Sequence, residues 1–326
     1  MSTATVSLAM RGNQRISAAT RERVQAALTE LGYVYQRSAV SLRTSMTHTV
    51  GVVLNNVSDP FFSSLLASLE DALAASGRSL FLCHTNEAVS RQTEFIRKMA
   101  EYNADGLIVS PAAGTAPTHF RTKLGGIPPT VFASRTVFEL GFDYVINDDR
   151  ETARIAAGRL LDLGHRRTAF VGGDPRVSCF LERFSGYREA LEQASVGFDT
   201  ALIRSSVPTR KAGFNAARWI AALSPRPTAA ICYNGSIALG LLVGLQKEGL
   251  HPSRNFALIG HENVEEAYMT NPALSVTTVD RDEMGKRAAA ALVERIRHPE
   301  SPPRQIVLRT ELIIRESCNF RLPSGS

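Results

Sequence analysis

Residues 49–77 read TVGVVLNNVSDPFFSSLLASLEDALAASG. The opening run, 49–54, is continuously apolar and rich in valine, the pattern of a strand covered on both faces. Asp59 and Pro60 then supply a cap and a first helical residue, and Gly77 closes the helix. The same alternation continues down the chain. Strands are expected at 79–84, 106–110, 130–133, 144–147, 168–172, 228–232 and 256–259. Helices are expected at 89–102, 150–163, 180–195, 210–223, 236–249 and 281–297. Strands alternating with helices imply parallel sheets covered by helices on both sides. The alternating body is too long for one such sheet, so two α/β lobes are expected, with a ligand cleft between them.

The totals agree with a soluble multidomain protein. The chain has 326 residues, 44% hydrophobic and 21% charged, which suits two or three domains. It contains no uncharged apolar run near the ~18 residues of a membrane span. No basic region followed by an apolar core opens the chain, so no secretory signal is read. Cys83, Cys179, Cys232 and Cys318 are far apart, without zinc-ligand spacing, and read as reduced thiols of a cytoplasmic protein. The net charge of +6 is uneven. Residues 1–47 carry six arginines against Glu22 and Glu30, a net +4, leaving +2 on the rest. A charge-dense short segment before a near-neutral body suits a polyanion-binding module on a larger sensor. A solvated basic face is the plainer alternative.

Within that segment, residues 17–31 read as a helix capped by Ser17. Val24, Ala27, Leu28 and Leu31 recur at helical spacing, and Gly32 stops the run. Residues 2–10 form a shorter helix with Ser2 as cap, and RGNQR at 11–15 is turn chemistry. Residues 35–47 are polar and basic, without Gly or Pro, and suit a marginal helix that needs support to form.

Seven stretches carry a family likeness in order. They are STATVSLAMRGNQRISAATRERVQAALTELGY (2–33), SLRTSMTHTVGVVL (41–54), SDPFFSSLLASLEDALAASG (58–77), LLDLGHRRTAFVGG (160–173), RPTAAICYNGSIALG (226–240), FALIGHENV (256–264) and VLRTELIIRES (307–317). Together they resemble transcription regulators of the lactose/galactose repressor (LacI/GalR) family, nearly end to end. The resemblance implies an α/β fold: a two-lobed effector domain similar to periplasmic binding proteins, with two parallel sheets flanked by helices, behind a small all-α helix-turn-helix headpiece. It places a partial headpiece at 1–34, a hinge helix at 35–47 and an effector and dimerisation domain at 48–326. Lobe one would hold about 48–147 and 280–307, and lobe two about 148–279 and 308–326. Met1 stands where the family usually has Val. The family's first helix would therefore precede it, and residues 1–326 alone are expected to hold operator DNA weakly.

The implied function is a ligand-responsive, homodimeric repressor of a palindromic operator, with a sugar or related metabolite as effector and no cofactor. Induction and co-repression both fit. The family's recognition helix matches residues 2–10, which implies base contacts from Thr3, Ala4 and Leu8, with Ser2, Thr5 and Ser7 near phosphates. The hinge match puts Leu42 where an apolar wedge enters the minor groove, with Arg43 beside it. Ligand contacts map onto Phe61, Phe62, Ser134, Arg183, Asn234 and Glu262. Independently, ligands of open α/β sheets bind beyond the carboxyl ends of the strands, where these residues and Asn55 and Arg135 fall. Ser134, Gly235 and Glu262 stand where the family usually has Asp, which suggests a less hydroxylated or an anionic ligand. Other chemistry has little support. GGDP at 172–175 is no GxGxxG loop, HENVEE is no HExxH, and no GxSxG elbow or kinase pattern occurs. The rival readings are a solute-binding protein of the transport class, an enzyme on the same scaffold, and an effector sensor that does not bind DNA.

Overall fold

The computed structural model describes residues 2–10, 13, 15–32, 46–120 and 126–322. Two compact units divide the chain, residues 1–47 and 48–326. In the first, helix α1 (Thr3–Met10) precedes helix α2 (Ala18–Glu30). Ser2 and Ser17 cap them, their Oγ atoms accepting from the Thr5 N–H at 3.2 Å and the Thr20 N–H at 3.3 Å. These bonds satisfy N–H groups that a helix start leaves without partners. Ala9 and Val24 are buried, whereas Leu31 is 79% exposed. The apolar stripe expected on the second helix is thus buried at Val24, half-buried at Leu28 and open at Ala27 and Leu31. An eight-residue partner is roughly 12 Å long and covers little more than two turns.

The second unit is built on two six-stranded sheets. Sheet one holds β1 (Thr49–Leu54), β2 (Ser79–His84), β3 (Gly106–Val109), β4 (Thr130–Ala133), β5 (Asp143–Asn147) and β11 (Gln305–Leu308). Its order is β11-β5-β4-β3-β1-β2, and every pairing is parallel. Sheet two holds β6 (Thr168–Val171), β7 (Ile203–Arg204), β8 (Ala229–Cys232), β9 (Ala257–His261), β10 (Ser275–Thr277) and β12 (Leu312–Ile313). Its order is β12-β10-β9-β8-β6-β7, with only β12 antiparallel. Each sheet therefore repeats a doubly wound 2-1-3-4-5 order. The chain passes between the sheets three times, from β5 to β6, from β10 to β11 and from β11 to β12.

Helices cover both faces of each sheet. Leu65, Leu69 and Leu73 of helix Pro60–Ala75 share a core with Met284, Ala288 and Leu292 of helix Arg281–Arg297, over Val50 and Val52. On the opposite face Ile96 and Met99 of helix Val89–Glu101 meet Val53 and Phe132. In sheet two, helices Asp149–Asp162 and Ser178–Gln193 cover one face, and Arg210–Ala222 with Gly235–Lys247 the other. The predicted cap holds: Asp59 Oδ1 accepts from the Phe61 N–H at 3.0 Å, with Pro60 in the first turn. The strands not expected from sequence are β7, β10, β11 and β12, each two to four residues long. Such short segments carry no readable period, and pairing with an existing sheet edge makes them strands.

Candidate functional site

The carboxyl ends of both sheets open onto one cleft. There, Phe61, Phe62, Ser134, Arg183, Asn234 and Glu262 line a common cavity of about 40 Å³. Lining it as well are Asp59, Glu87, Arg135, Cys179 and Tyr233. Each lobe contributes through a loop that leaves a strand. Ser134 follows β4 and Glu262 follows β9, both in left-handed backbone at φ 69° and 74°. That region is sparsely populated by residues with a side chain, and such positions concentrate at ligand clefts.

Hydrogen bonds join the lobes across this cavity. Asp59 Oδ2 accepts from Asn234 Nδ2 at 3.2 Å and from Ser236 Oγ at 3.0 Å. Asn234 is also the cap of helix Gly235–Lys247, its Oδ1 accepting from the Ile237 N–H at 3.0 Å. Glu262 lies beneath that helix start, with Oε2 accepting from the Gly235 N–H at 3.3 Å. Burial, reinforced by the Asp59 charge, pushes the Glu262 carboxyl up to about 8, against the pull of Arg183 and Arg281. Burial also raises Asp59. At neutral pH Glu262 is therefore mostly protonated and able to donate.

Two buried arginines flank the cavity. Arg183 donates from Nε to Asp149 Oδ1 at 2.8 Å and from Nη1 to the Tyr233 carbonyl. Its guanidinium lies 4.8 Å from the centre of the Tyr233 ring. Burial pushes Asp149 up to about 6 even with Arg183 beside it. Arg135 pairs with both carboxylate oxygens of Glu87 at 3.0 Å and donates to the Pro111 carbonyl at 3.2 Å. Phe61 and Phe62 pack edge to face at 5.0 Å and serve the core of sheet one and the cavity wall together. His261, at the end of β9, is buried with Nδ1 2.8 Å from Thr277 Oγ1, and burial drives it neutral.

Sequence reading alone misses several of these residues. Asp59 reads as a helix cap and nothing more, although the same carboxylate crosses the cleft. Glu87 follows a strand by three residues, in left-handed backbone at φ 61°, without a pattern to mark it. Arg135, by contrast, was expected at a strand end beside Ser134, and it lines the cavity just beyond β4. Asp59 and Glu87 bring carboxylates to the cavity that Ser134 lines. GGDP also contributes: Gly173, Asp174 and Pro175 line a neighbouring chamber. A Cβ at Gly173 would come within 2.5 Å of Phe180 and 2.6 Å of Tyr233.

In the amino-terminal unit, Thr3, Ala4, Thr5, Ser7 and Leu8 all lie on α1 with Ser2 at its start. Leu42 and Arg43 lie outside the described residues. Among the described residues no group of three His, Cys, Asp or Glu could hold a metal ion, and no helix is long and apolar enough to cross a membrane.

Comparison with known proteins accounts for both units. Residues 1–36 match the profile of bacterial regulatory proteins of the lacI family, and residues 157–318 match a periplasmic binding protein-like domain. The chain belongs to the LacI/GalR family of transcription regulators. Within that family it is 29% identical over 317 residues to the HTH-type transcriptional repressor PurR of Vibrio vulnificus, covering 97% of this chain and 95% of the relative. The maltose regulon regulatory protein MalI of Escherichia coli is 28% identical over 322 residues, with 96% and 94% covered. Among solved structures, the CelR–cellobiose complex matches with a TM-score of 0.76 and 27% identity over 97% of this chain and 96% of that one. The lac repressor dimer bound to operator shares the fold, with a TM-score of 0.86 at 20% identity over 97% and 95% of the chains. The family's relatives are repressors, and this member is a DNA-binding transcription regulator rather than an enzyme.

Proposed function

We propose that this regulator binds a palindromic operator as a homodimer and is controlled by a small-molecule effector, a sugar or related metabolite, held in the cleft between the lobes. The observation that carries the reading is the cleft itself: polar and aromatic side chains from the carboxyl ends of two doubly wound sheets converge on one cavity. Sites of this kind form at such strand ends. The three passages of the chain between the sheets form a hinge, and an effector that binds one lobe arrangement better than another shifts the population toward it.

The homodimer has support from β2, an edge strand on which Phe81 is 53% and Leu82 40% exposed. Exposed apolar edge strands invite pairing unless covered, and a second copy would cover this one. On DNA, Thr3, Ala4 and Leu8 would meet base edges in the major groove, with Ser2, Thr5 and Ser7 at phosphates near the helix start. Leu42 would wedge into the minor groove with Arg43 beside it. Selection from a randomised duplex library, made with a form whose helix-turn-helix headpiece is complete, tests the DNA half. It should enrich a palindrome whose affinity falls steeply as salt rises. Recovery of no symmetric sequence would overturn the proposal.

A further inference from the structure

We propose that the connections between the lobes carry a second ligand site, separate from the cleft, which takes a small zwitterion of the amino-acid class. The site is a cavity of about 420 Å³, within the ~300–1,000 Å³ of small-molecule sites. Two of the three passages between the sheets form its walls. Residues 278–282 lead from β10 into helix Arg281–Arg297, and Arg309 and Glu311 lie between β11 and β12. Asn263, in the loop after β9, closes the remaining side. None of these residues lines the cleft cavity or its neighbouring chamber.

The two passages are tied side by side. The Thr278 N–H donates to the Glu311 carbonyl at 2.8 Å, and the Glu311 N–H donates to Thr278 Oγ1 at 3.0 Å. Thr310 Oγ1 donates to the Thr278 carbonyl at 2.9 Å. In extended chain successive side chains point to opposite sides. With Thr310 turned to Thr278, its neighbours Arg309 and Glu311 both line the cavity. On the facing wall, Asp280 Oδ1 caps the helix by accepting from the Glu283 N–H at 2.8 Å. Arg281 donates to the Asn263 carbonyl at 3.4 Å, which draws that guanidinium toward the second lobe.

Charges of both signs meet here: Arg281 and Arg309 with Asp280, Asp282 and Glu311. Among the described residues none of the five forms an ion pair, whereas Arg135 and Arg183 of the cleft are both paired. Opposite charges held apart across such a space are bridged by a molecule that carries both signs. A carboxylate accepts from the guanidinium forks, and an ammonium, with three donors, serves the carboxylates. A bare anion would meet three carboxylates, and a bare cation two guanidinium groups. Among the described residues no three acids are placed to hold a metal ion. Arg309, Glu311, Asp280 and Asp282 are exposed, so each contact adds little and the expected Kd is about 0.1–1 mM. A molecule that grips both passages favours one lobe arrangement over another. Arg281 also links the site to the cleft, because burial raises the Glu262 and Asp59 carboxyls and the Arg281 charge pulls both the other way.

Titration calorimetry on the full chain tests the class with glycine, L-serine, L-glutamine and L-methionine. Each is compared with its N-acetyl form, which keeps only the carboxylate, and its amide, which keeps only the ammonium. At least one amino acid should bind, and both of its single-charge forms should bind about fivefold or more weakly. Arg309→Gln and Glu311→Gln should each weaken that amino acid about threefold to fivefold, and the double variant, whose net charge is unchanged, about tenfold or more. Both positions are exposed, and an unaltered melting temperature separates lost binding from lost fold. If no amino acid binds, or a single-charge form binds as well, the class is wrong. Binding intact in the double variant but lost in Glu87→Gln or Asn234→Ala overturns the second site and moves the ligand to the cleft. Binding indifferent to all these variants overturns the site as well, and leaves the reading of the cleft untouched.

Discussion

Each lobe buries an arginine against the cleft, and each arginine meets a carboxylate, yet the two pairs do different things. Arg183 and Asp149 are enclosed together, with side chains 10% and 5% exposed. Asp149 is the first residue of the helix that follows the passage from β5, and Arg183 also holds the Tyr233 carbonyl. That pair braces the second lobe. Arg135 is as deeply buried, but Glu87 is 33% exposed and faces the cleft. The chemistry is the same, but the Glu87 carboxylate, which also accepts from the Ala113 N–H at 2.8 Å and from Asn55 Nδ2 at 3.3 Å, keeps an edge open to water that the Asp149 carboxylate lacks.

Removing the acid from each pair tests that contrast most sharply. Asp149→Ala leaves Arg183 buried without a counter-ion and is expected to cost about 3–5 kcal/mol of folding stability. Glu87→Ala should cost less, about 1–2 kcal/mol, because water can follow into the open side and Arg135 keeps the Pro111 carbonyl. Denaturant midpoints of the two variants measure the difference, and equal losses would erase the distinction.

The next largest effect is on pH. Glu262 titrates at about 8 in the folded protein against an ordinary 4.5, so folding favours its protonated form. The stabilisation is complete below the ordinary value and is lost as pH rises through 8. Asp59 acts in the same direction, and Asp149, at about 6, acts likewise in a lower window. His165 and His261 are held neutral by burial, and they oppose this only below about 6.5, where the unfolded chain takes up protons. Stability should therefore fall from about pH 6.5 to 8, by no more than ~1.4 kcal/mol per pH unit from Glu262. Glu262→Gln should flatten that fall, and an unchanged slope in this variant would assign it elsewhere.

The smallest expected effect is at the contact between lobes. Asn234→Ala removes a helix cap and one of the two bonds to Asp59. It should cost about 1 kcal/mol, the usual value of a cap. Asn234→Asp preserves the cap but places a second carboxylate 3.2 Å from Asp59 in the present geometry. It should therefore be the less stable of the two at pH 8 and regain ground as pH falls.

The fold was legible where local signals were strong. The valine run before Asp59–Pro60, the glycine stops and the strand–helix alternation all depend on neighbours in sequence. The six ligand-site candidates were placed at strand ends by the same logic, and they line one cavity. Glu87 and the neighbouring chamber were not legible. Glu87 sits in an irregular loop, and GGDP has the chemistry of an ordinary strand-to-helix turn. The packing of Tyr233 and Phe180 on Gly173 depends on residues distant in sequence. Likewise, Ser134, Gly235 and Glu262, where the family usually has Asp, suggest a less hydroxylated or an anionic ligand, and local pattern gives no sign that Asp59 and Glu87 reach the same cavity from other loops.

By itself, the sequence determined the family likeness, the two doubly wound lobes, the caps of the main helices and the concentration of positive charge before residue 48. Periodicity, capping and composition act over a few residues and need no distant partner. Tertiary structure alone decided what the charged groups do. Arg183 finds Asp149 across 34 positions, Arg135 finds Glu87 across 48, and Asn234 finds Asp59 across 175. The state of a buried charge depends on its partner and on how much water remains, and both are set only when the chain has closed around it.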